Sequence, residues 1–510
     1  MRQILYKRNR YVDSVTLMAV GEDGRKQAGV TGAEAVMCTR ANRELLIRAG
    51  YEIPTELGAN DLILAANGEE EAVARALRRM EDRLNGNSEN SKAYRSLDDP
   101  SLCGEKYDLV QISLPGEYVE EEALKALDKG YHLFIFSDNV PIEAERRLKE
   151  KAIEKGLLCM GPDCGVAQLG GVALGAGSIL PDGRIGIVGA SGSGAQEVAC
   201  ILASFGEGVS QLIGTGGRDL FPEIGGLSML QGMHLLDTDD KTQIIVLVSK
   251  VADAAVMEKV LAEADKLSKP TVAIFLGAPE RIFAGHRTVG AHSLEEAALK
   301  TIGILGGKTD NFGFSEKSLR KIAVRECGKY AKEQKYLRGL YCGGTFAEEG
   351  LLYYKKYCPD LTFYSNLSLR SAKKLKDKEK SVGNSVLDLG AEDFTIETPH
   401  PVFEPELRLR RLRRELKDEK VAVITLDFIT GPGVHSDPAG QFCEEIRRAR
   451  KERKNHVTVI ANICGSVLDP QNIGAIKTHL EEAGVIVAAS NLETVRLSAA
   501  ILNAWKENAQ

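Results

Sequence analysis

Three glycines, Gly189, Gly192 and Gly194, and two serines, Ser191 and Ser193, stand between an apolar run, Ile185 to Val188, and a stretch of helical character from about Ala195. A strand, glycine turn and helix in this order let backbone N–H groups approach an anion, and the positive end of the helix dipole points at the same spot. The two hydroxyls add donors. Such a turn suits the cradling of a phosphate or an acyl phosphate. The spacing is not that of a P-loop, since no Gly-Lys-Ser/Thr follows, nor the full dinucleotide fingerprint. Close packing of helix on strand would use the same glycines.

Further positions carry candidate chemistry. Ile213-Gly-Thr-Gly-Gly-Arg-Asp-Leu220 is another glycine turn at a strand's C-terminal end, where ligands sit in open α/β sheets. Gly216, Gly217 and Arg218 join the phosphate-binding set, while Arg218 with Asp219 reads equally well as a pair pinning the loop. In Met160-Gly-Pro-Asp-Cys-Gly165, Asp163 is a cap or a pocket residue. Cys164 is a buried thiol, or a nucleophile that would need a histidine or helix dipole to lower its pKa, and no such partner is identifiable. Thr425 to Gly440 repeats the turn, with Gly431 and Gly433 forming it and Ser436 or Asp437 capping the next helix. His435 there meets an anion or is a surface histidine, and Asn462 ends the following strand. His400 is held between Pro399 and Pro401 as a site residue or part of a stiff connector. No carboxylate pair, metal-ligand cluster or Ser–His–Asp order stands out, so no metal is expected.

The elements that must position these groups alternate in type. Strand-like runs of four to seven apolar residues (108–114, 132–137, 157–160, 243–249, 271–276, 420–428, 456–463 and 485–488) are separated by amphipathic stretches of helical length. That rhythm implies parallel sheets covered on both faces, joined by right-handed crossovers. The fold class is α/β, with doubly wound domains expected over 1–175, 176–310 and 335–510. Asn85 to Lys92 reads as an exposed loop, Gly306 to Ser318 as a linker and Lys373 to Lys380 as a solvated charge run.

Composition limits the partners. A chain of 510 residues with 43% hydrophobic and 27% charged residues is an ordinary globular one. Its net charge of −6 predicts no general attraction to nucleic acid or anionic membrane. No apolar run is long enough to span a bilayer, and the N-terminus lacks a signal-peptide core. Ten cysteines without C-x-x-C pairs predict reduced thiols in the cytoplasm.

Residues 152–305 resemble the α subunit of succinyl-CoA synthetase, through Met160-Gly-Pro-Asp-Cys164, Gly186-Ile-Val-Gly-Ala-Ser-Gly192 and Gly214-Thr-Gly-Gly-Arg-Asp219. Residues 386–499 are similar to the C-terminal ligase domain of the β subunit, with Asp427 to Asp437 at that domain's phosphate-binding helix. Within this superfamily the chain is identified as a member of the FdrA family, described as acyl-CoA synthetase-like. The phrases Asp13-Ser-Val-Thr-Leu17, Phe136-Ser-Asp-Asn139, Gly343-Gly-Thr345 and Thr398-Pro-His-Pro401 carry the match.

The resemblance implies a Rossmann-like N-terminal domain of CoA-binding type and two flavodoxin-like ligase domains. It makes CoA a candidate ligand, yet the Asp13 to Gly21 segment lacks the expected glycine turn. It places His286 near the phosphorylated histidine of the ligases, but Ser249-Lys250 replaces the supporting glutamate. Lys250 would then grip a phosphate or carboxylate directly, and a lysine disfavours an imidazolium beside it. No segment resembles a nucleotide-binding ATP-grasp domain. The resemblance therefore implies a ready-made donor, an acyl or carbamoyl phosphate, and an oxamate carbamoyltransferase subunit in allantoin and purine degradation, with Lys250, His286 and His435 as catalytic candidates. An NDP-forming acyl-CoA ligase subunit with an ATP-grasp partner and a non-catalytic binding scaffold are the alternatives. Partner subunits or a homo-oligomer are expected.

Overall fold

In the computed structural model the residues described are 1–10, 12, 14–86, 97–98, 107–250, 252–395 and 398–509. They divide into two units, Met1–Asp108 with Ile396–Pro399, and Leu109–Thr395 with His400–Gln510.

In the first unit the strands Arg2–Lys7, Val30–Met37 and Leu62–Gly68 alternate with the helices Ser14–Arg25, Arg40–Arg48 and Glu70–Gly86. Leu62–Gly68 lies at the centre of the sheet, and both neighbours run against it. Leu17, Val20, Leu64, Val73 and Met80 fill one face of this small sheet, and Leu46, Tyr51 and Ile63 the other. The Rossmann-like, doubly wound plan expected from Met1 is corrected here: parallel strands begin only at Leu109. Run length and apolar content, the signals used, do not encode strand direction. Asp13 and most of the expected 85–92 loop (residues 87–92) lie outside the described residues.

The second unit begins with three parallel strands, Leu109–Ile112, His132–Ile135 and Cys159–Met160. Two seven-stranded sheets follow. The first has the order Val289–Ala291, Thr271–Phe275, Ile244–Ser249, Asp182–Gly189, Val209–Gly214, Val166–Leu169, Val172–Gly175. Its first five strands are parallel and its last two form an antiparallel hairpin at the edge. That hairpin stands on the N-terminal side of the boundary expected at residue 175. The second sheet is parallel throughout, in the order Lys373–Lys374, Phe363–Ser365, Asn384–Asp388, Tyr336–Tyr341, Val421–Ile429, Thr458–Cys464, Ile486–Ala488.

In each seven-stranded sheet one strand marks the reversal of strand order. After Asp182–Gly189 the chain passes through helix Gly192–Ser204 to one neighbour, then crosses to Ile244–Ser249 on the other side. After Tyr336–Tyr341 it passes through helix Gly344–Tyr357, builds one flank and crosses to Val421–Ile429. The C-terminal ends of such strands open a crevice.

A single apolar core joins the two sheets through Ile187, Val198, Leu294, Phe346, Leu351, Val386, Val495 and Ile501. Burying each such side chain stabilises by about 1.5–3 kcal/mol, which fixes the helices on which the two crevices depend. The stretch expected to be a linker ends in a helix, Glu316–Cys327, capped by Ser315. Among the described residues nine cysteines are free and buried, and no helix is long and apolar enough to cross a membrane.

Candidate functional site: two helix N-termini around Lys250

Ser191 is the N-cap of helix Gly192–Ser204, its Oγ accepting from the Gly194 amide at 3.2 Å. The same oxygen lies 2.5 Å from Thr345 Oγ1, in the first turn of helix Gly344–Tyr357. The two helices that leave the reversal strands therefore meet at their positive ends. The amides of Gly192, Ser193, Gly344 and Thr345 have no hydrogen-bond partner among the described residues. Gly192, Ser193 and Gly344 are partly exposed. Free N–H groups and two converging dipoles are an arrangement that can hold an anion.

Lys250 supplies the charge beside them. It follows strand Ile244–Ser249, its side chain is 36% exposed, and its Nζ pairs with Glu348 Oε1 at 3.0 Å. A Cβ built on Gly344 would lie 3.3 Å from Lys250 Nζ and 2.6 Å from Asp388 Oδ2, so the glycine leaves the space between them open. Burial alone would lower the Lys250 pKa, but Glu348 and Asp388 outweigh it and hold the ammonium above its ordinary value. Burial pushes the Asp388 carboxyl up to about 7, against the pull of Lys250.

Asp163 stands at the rim in the left-handed region, with φ 55°, which aspartate tolerates better than most residues. The residue is exposed. Desolvation by the protein packed around it, and Asp138, nevertheless raise its carboxyl to about 6, with Lys250 and Arg218 opposing.

Several expected phosphate ligands have structural roles. Gly189 makes room for Ala195, whose Cβ would lie 2.7 Å from an added methyl, and Gly194 is enclosed by Ser191, Thr345 and Leu294. Gly216 lets the chain pass Pro162, whose carbonyl would be 2.1 Å from a Cβ, and Gly217 faces the Asp163 carboxylate. Arg218 is engaged by Glu145 Oε2 and the Val140 carbonyl, each at 2.8 Å. Asp219 accepts from Lys149 and from the Ser228 and Met229 amides, capping helix Leu227–Thr238. The loop-pinning reading holds for both, though with Glu145 and Lys149 as partners rather than each other.

Cys164 is buried, and burial pushes its thiol up to about 12, which disfavours the thiolate a nucleophile needs. Ser249 is buried at its strand's end, where its carbonyl accepts from Leu276.

His286 lies elsewhere. Its Nδ1 is 2.7 Å from Asp265 Oδ2, at the C-terminal end of helix Ala254–Ala264. That helix starts beside Lys250 and runs back along the sheet, so His286 sits at the edge opposite the free amides. In the third segment, Cβ atoms on Gly431 and Gly433 would strike the Gly177 and Gly175 carbonyls at 2.7 and 2.5 Å. The turn is closed by backbone, because it follows a strand that does not mark the order reversal.

His435 Nδ1 turns back to Asp437, whose carboxylate accepts from the Gly440 amide. His400 lies beside Gly390 and accepts from the Val402 amide through Nδ1, placing its ring proton on Nε2. Burial lowers it to about 4, so it is neutral. Asn462 is fully buried, in register with Asp427, and neither polar atom of its side chain has a partner among the described residues. None of these stands at the Ser191–Thr345 contact.

In the sequence reading Gly344 and Thr345 are named only within a family phrase, and Glu348 and Asp388 are left out of the site. The signal for the first two was present, since Gly343-Gly344-Thr345 follows the apolar run Leu337 to Tyr341 in the same strand, glycine and helix order.

Fold and site together define a protein of the succinyl-CoA synthetase superfamily. Residues 340–501 match the family model described as CoA-ligase, 181–277 the CoA binding domain, and 1–100 the model described as AllF, heavy metal-associated domain. Uncharacterized protein YahF of Escherichia coli (strain K12) is 38% identical over 502 residues, covering 96% of this chain and 97% of its own. The chain belongs to the FdrA-like family that this relative represents, within that superfamily. The ADP-forming succinate–CoA ligase subunit alpha 2 of Archaeoglobus fulgidus is 28% identical, over 39% of this chain and 71% of its own. The ADP-forming sulfoacetate–CoA ligase subunit SauD of Bilophila wadsworthia is 26% identical, over 39% and 72%.

Two groups these matches imply do not fit where expected. Residues 1–100 hold one cysteine, Cys38, and no histidine. Cys38 is buried with a raised thiol pKa, and no group of three metal-binding side chains occurs among the described residues. A soft-metal site needs more thiolate or imidazole than that. For CoA, expected in residues 1–175, the antiparallel first sheet has no parallel reversal point at which its phosphates would lie, and the CoA binding match falls instead on 181–277, whose sheet has one at Asp182–Gly189.

Proposed function

We propose that the chain binds the phosphoryl group of an acyl or carbamoyl phosphate and works with partner subunits as an oxamate carbamoyltransferase of allantoin and purine degradation. The observation that carries this reading is the pair of helix N-termini meeting at Ser191 and Thr345, with free amides on both and Lys250 beside Gly344. Charge gathers on the phosphate oxygens as the acyl–oxygen bond breaks. Amides fixed in advance and an ammonium at that point favour the charged state without reorganising. A phosphohistidine ligase reading, favoured by the resemblance to ADP-forming ligase subunits, would need a histidine at these amides, and His286 faces the other edge of its sheet.

The test is phosphate release from carbamoyl phosphate by the chain assembled with its partner subunits. Release that rises with added oxamate is expected. Release that ignores oxamate, or none at all, sinks the proposal.

A further inference from the structure

Asp388 ends strand Asn384–Asp388, next to the strand that feeds helix Gly344–Tyr357. Its main chain is locked on both sides by Asn366, whose Nδ2 donates to the Asp388 carbonyl and whose Oδ1 accepts from the Asp388 amide, each at 3.0 Å. Its Oδ1 accepts from the Gly390 amide, also at 3.0 Å. Oδ2 has no hydrogen-bond or ion-pair partner among the described residues, although the residue is only 6% exposed. That free oxygen lies beside Gly344, the first residue of the helix, within 2.6 Å of where a side chain would begin.

We infer that Asp388 is the proton-transfer group of this site, taking the proton from the nitrogen that attacks the acyl carbon and handing it to the departing phosphate. This rests on the acyl phosphate reading above. In the step, an amide or amine nitrogen forms a bond to the carbamoyl carbon and the carbon–oxygen bond to phosphate breaks. The nitrogen proton passes to Asp388 Oδ2 and then to a phosphate oxygen, leaving a substituted urea and hydrogen phosphate, and no further reactant is needed.

The surroundings suit the role. Lys250 faces Asp388 from the other sheet, paired to Glu348 on the helix. Asp427, one strand beyond Tyr336–Tyr341, is occupied by the Cys342 and Gly343 amides and by Arg408. Asp163 reaches the site only through Lys250. A carboxyl raised to about 7 holds and releases a proton near neutrality. A dianion bound at the amides repels the carboxylate and raises its proton affinity, so sulfate binding takes up a proton at Asp388, and turnover runs through the fraction still ionised, a stronger base for the nitrogen proton.

The experiment measures the affinity of inorganic sulfate, a dianion across the whole range, at pH 6 to 8.5. It uses the wild-type chain, Asp388→Asn and Asp163→Asn, followed by turnover of carbamoyl phosphate with oxamate in the full assembly. Wild-type affinity should weaken by up to about tenfold per pH unit above 7. Asp388→Asn should bind sulfate with this dependence flattened and turn over about a hundredfold or more slower. Asp163→Asn should leave the midpoint near 7. Wild-type turnover in Asp388→Asn, or a pH slope that the variant shares, overturns the inference while leaving the anion site standing. Failure of the wild-type chain to bind sulfate or phosphate removes the underlying reading, and this one with it.

Discussion

Ser191 Oγ and Thr345 Oγ1 stand 2.5 Å apart and are buried, although 154 residues separate them in the chain. This contact brings two helix dipoles to one point. Thr345→Val keeps the shape and removes the hydroxyl, leaving Ser191 with the Gly194 amide alone. Loss of a buried hydrogen bond should cost about 1–3 kcal/mol, read as a lower denaturation midpoint, with Thr345→Ser close to wild type. A Thr345→Val chain as stable as wild type would show that the contact does not hold the helices.

Gly344→Ala should close the site at little cost in stability. The added methyl would crowd Asp388 Oδ2 and Lys250 Nζ, both ends of side chains that can move. Affinity for inorganic phosphate, measured by titration calorimetry, should fall at least about tenfold, equivalent to 1.4 kcal/mol. Unchanged affinity would place the anion elsewhere.

Asp219→Ala should be among the most destabilising single changes. Lys149 is fully buried, bonded to Asp219 Oδ1, Glu145 and the Thr215 carbonyl. Removing one carboxylate leaves a buried ammonium under-compensated and the Ser228 and Met229 amides uncapped, at about 3–5 kcal/mol. Soluble expression and urea midpoints check this, and a midpoint near wild type would contradict it.

Stability should fall as pH rises toward 9. Glu197 accepts from the Asn491 amide, and Glu349 from the Leu294 amide and Asn491 Nδ2. Burial raises these carboxyls to about 8 and about 7. The folded chain therefore holds protons that the unfolded chain has released above its ordinary carboxyl range near 4.5. The stabilisation is complete below that range and is lost as pH climbs through 7 and 8. Glu197→Gln should flatten the fall in melting temperature between pH 6 and 9, and an equally steep fall in the variant would assign the effect to other groups.

His286→Asn should leave turnover unchanged. Its partners are Asp265 and Glu258, and a pair of this kind is worth about 0–1 kcal/mol. Acid-labile phosphate appearing at His286 after incubation with ATP and a partner subunit would revive the ligase reading.

The parallel sheets of the second unit were legible because strands buried on both faces read as unbroken apolar runs. Ile244–Ser249 and Val421–Ile429 are buried along their whole length. The antiparallel first sheet was not, since the same spacing of runs permits either direction. The turn at Gly189–Gly194 was legible as a type, but which of its amides are free depends on what packs there. Ser191 takes the Gly194 amide, while Gly192 and Ser193 keep theirs. The turn at Gly431–Gly433 carries a similar signature and is filled by the backbone of 175–177.

By itself the sequence determined the alternation of strand and helix, the glycine turns and the family. These follow from local spacing and from short phrases that survive reordering in space. The tertiary structure decided which turns stand at the reversals of strand order, which partner Lys250 takes, and that Asp388 reaches over Gly344. Those choices depend on strand direction and on contacts between segments well separated along the chain. Side-chain packing sets them, and no local pattern records it.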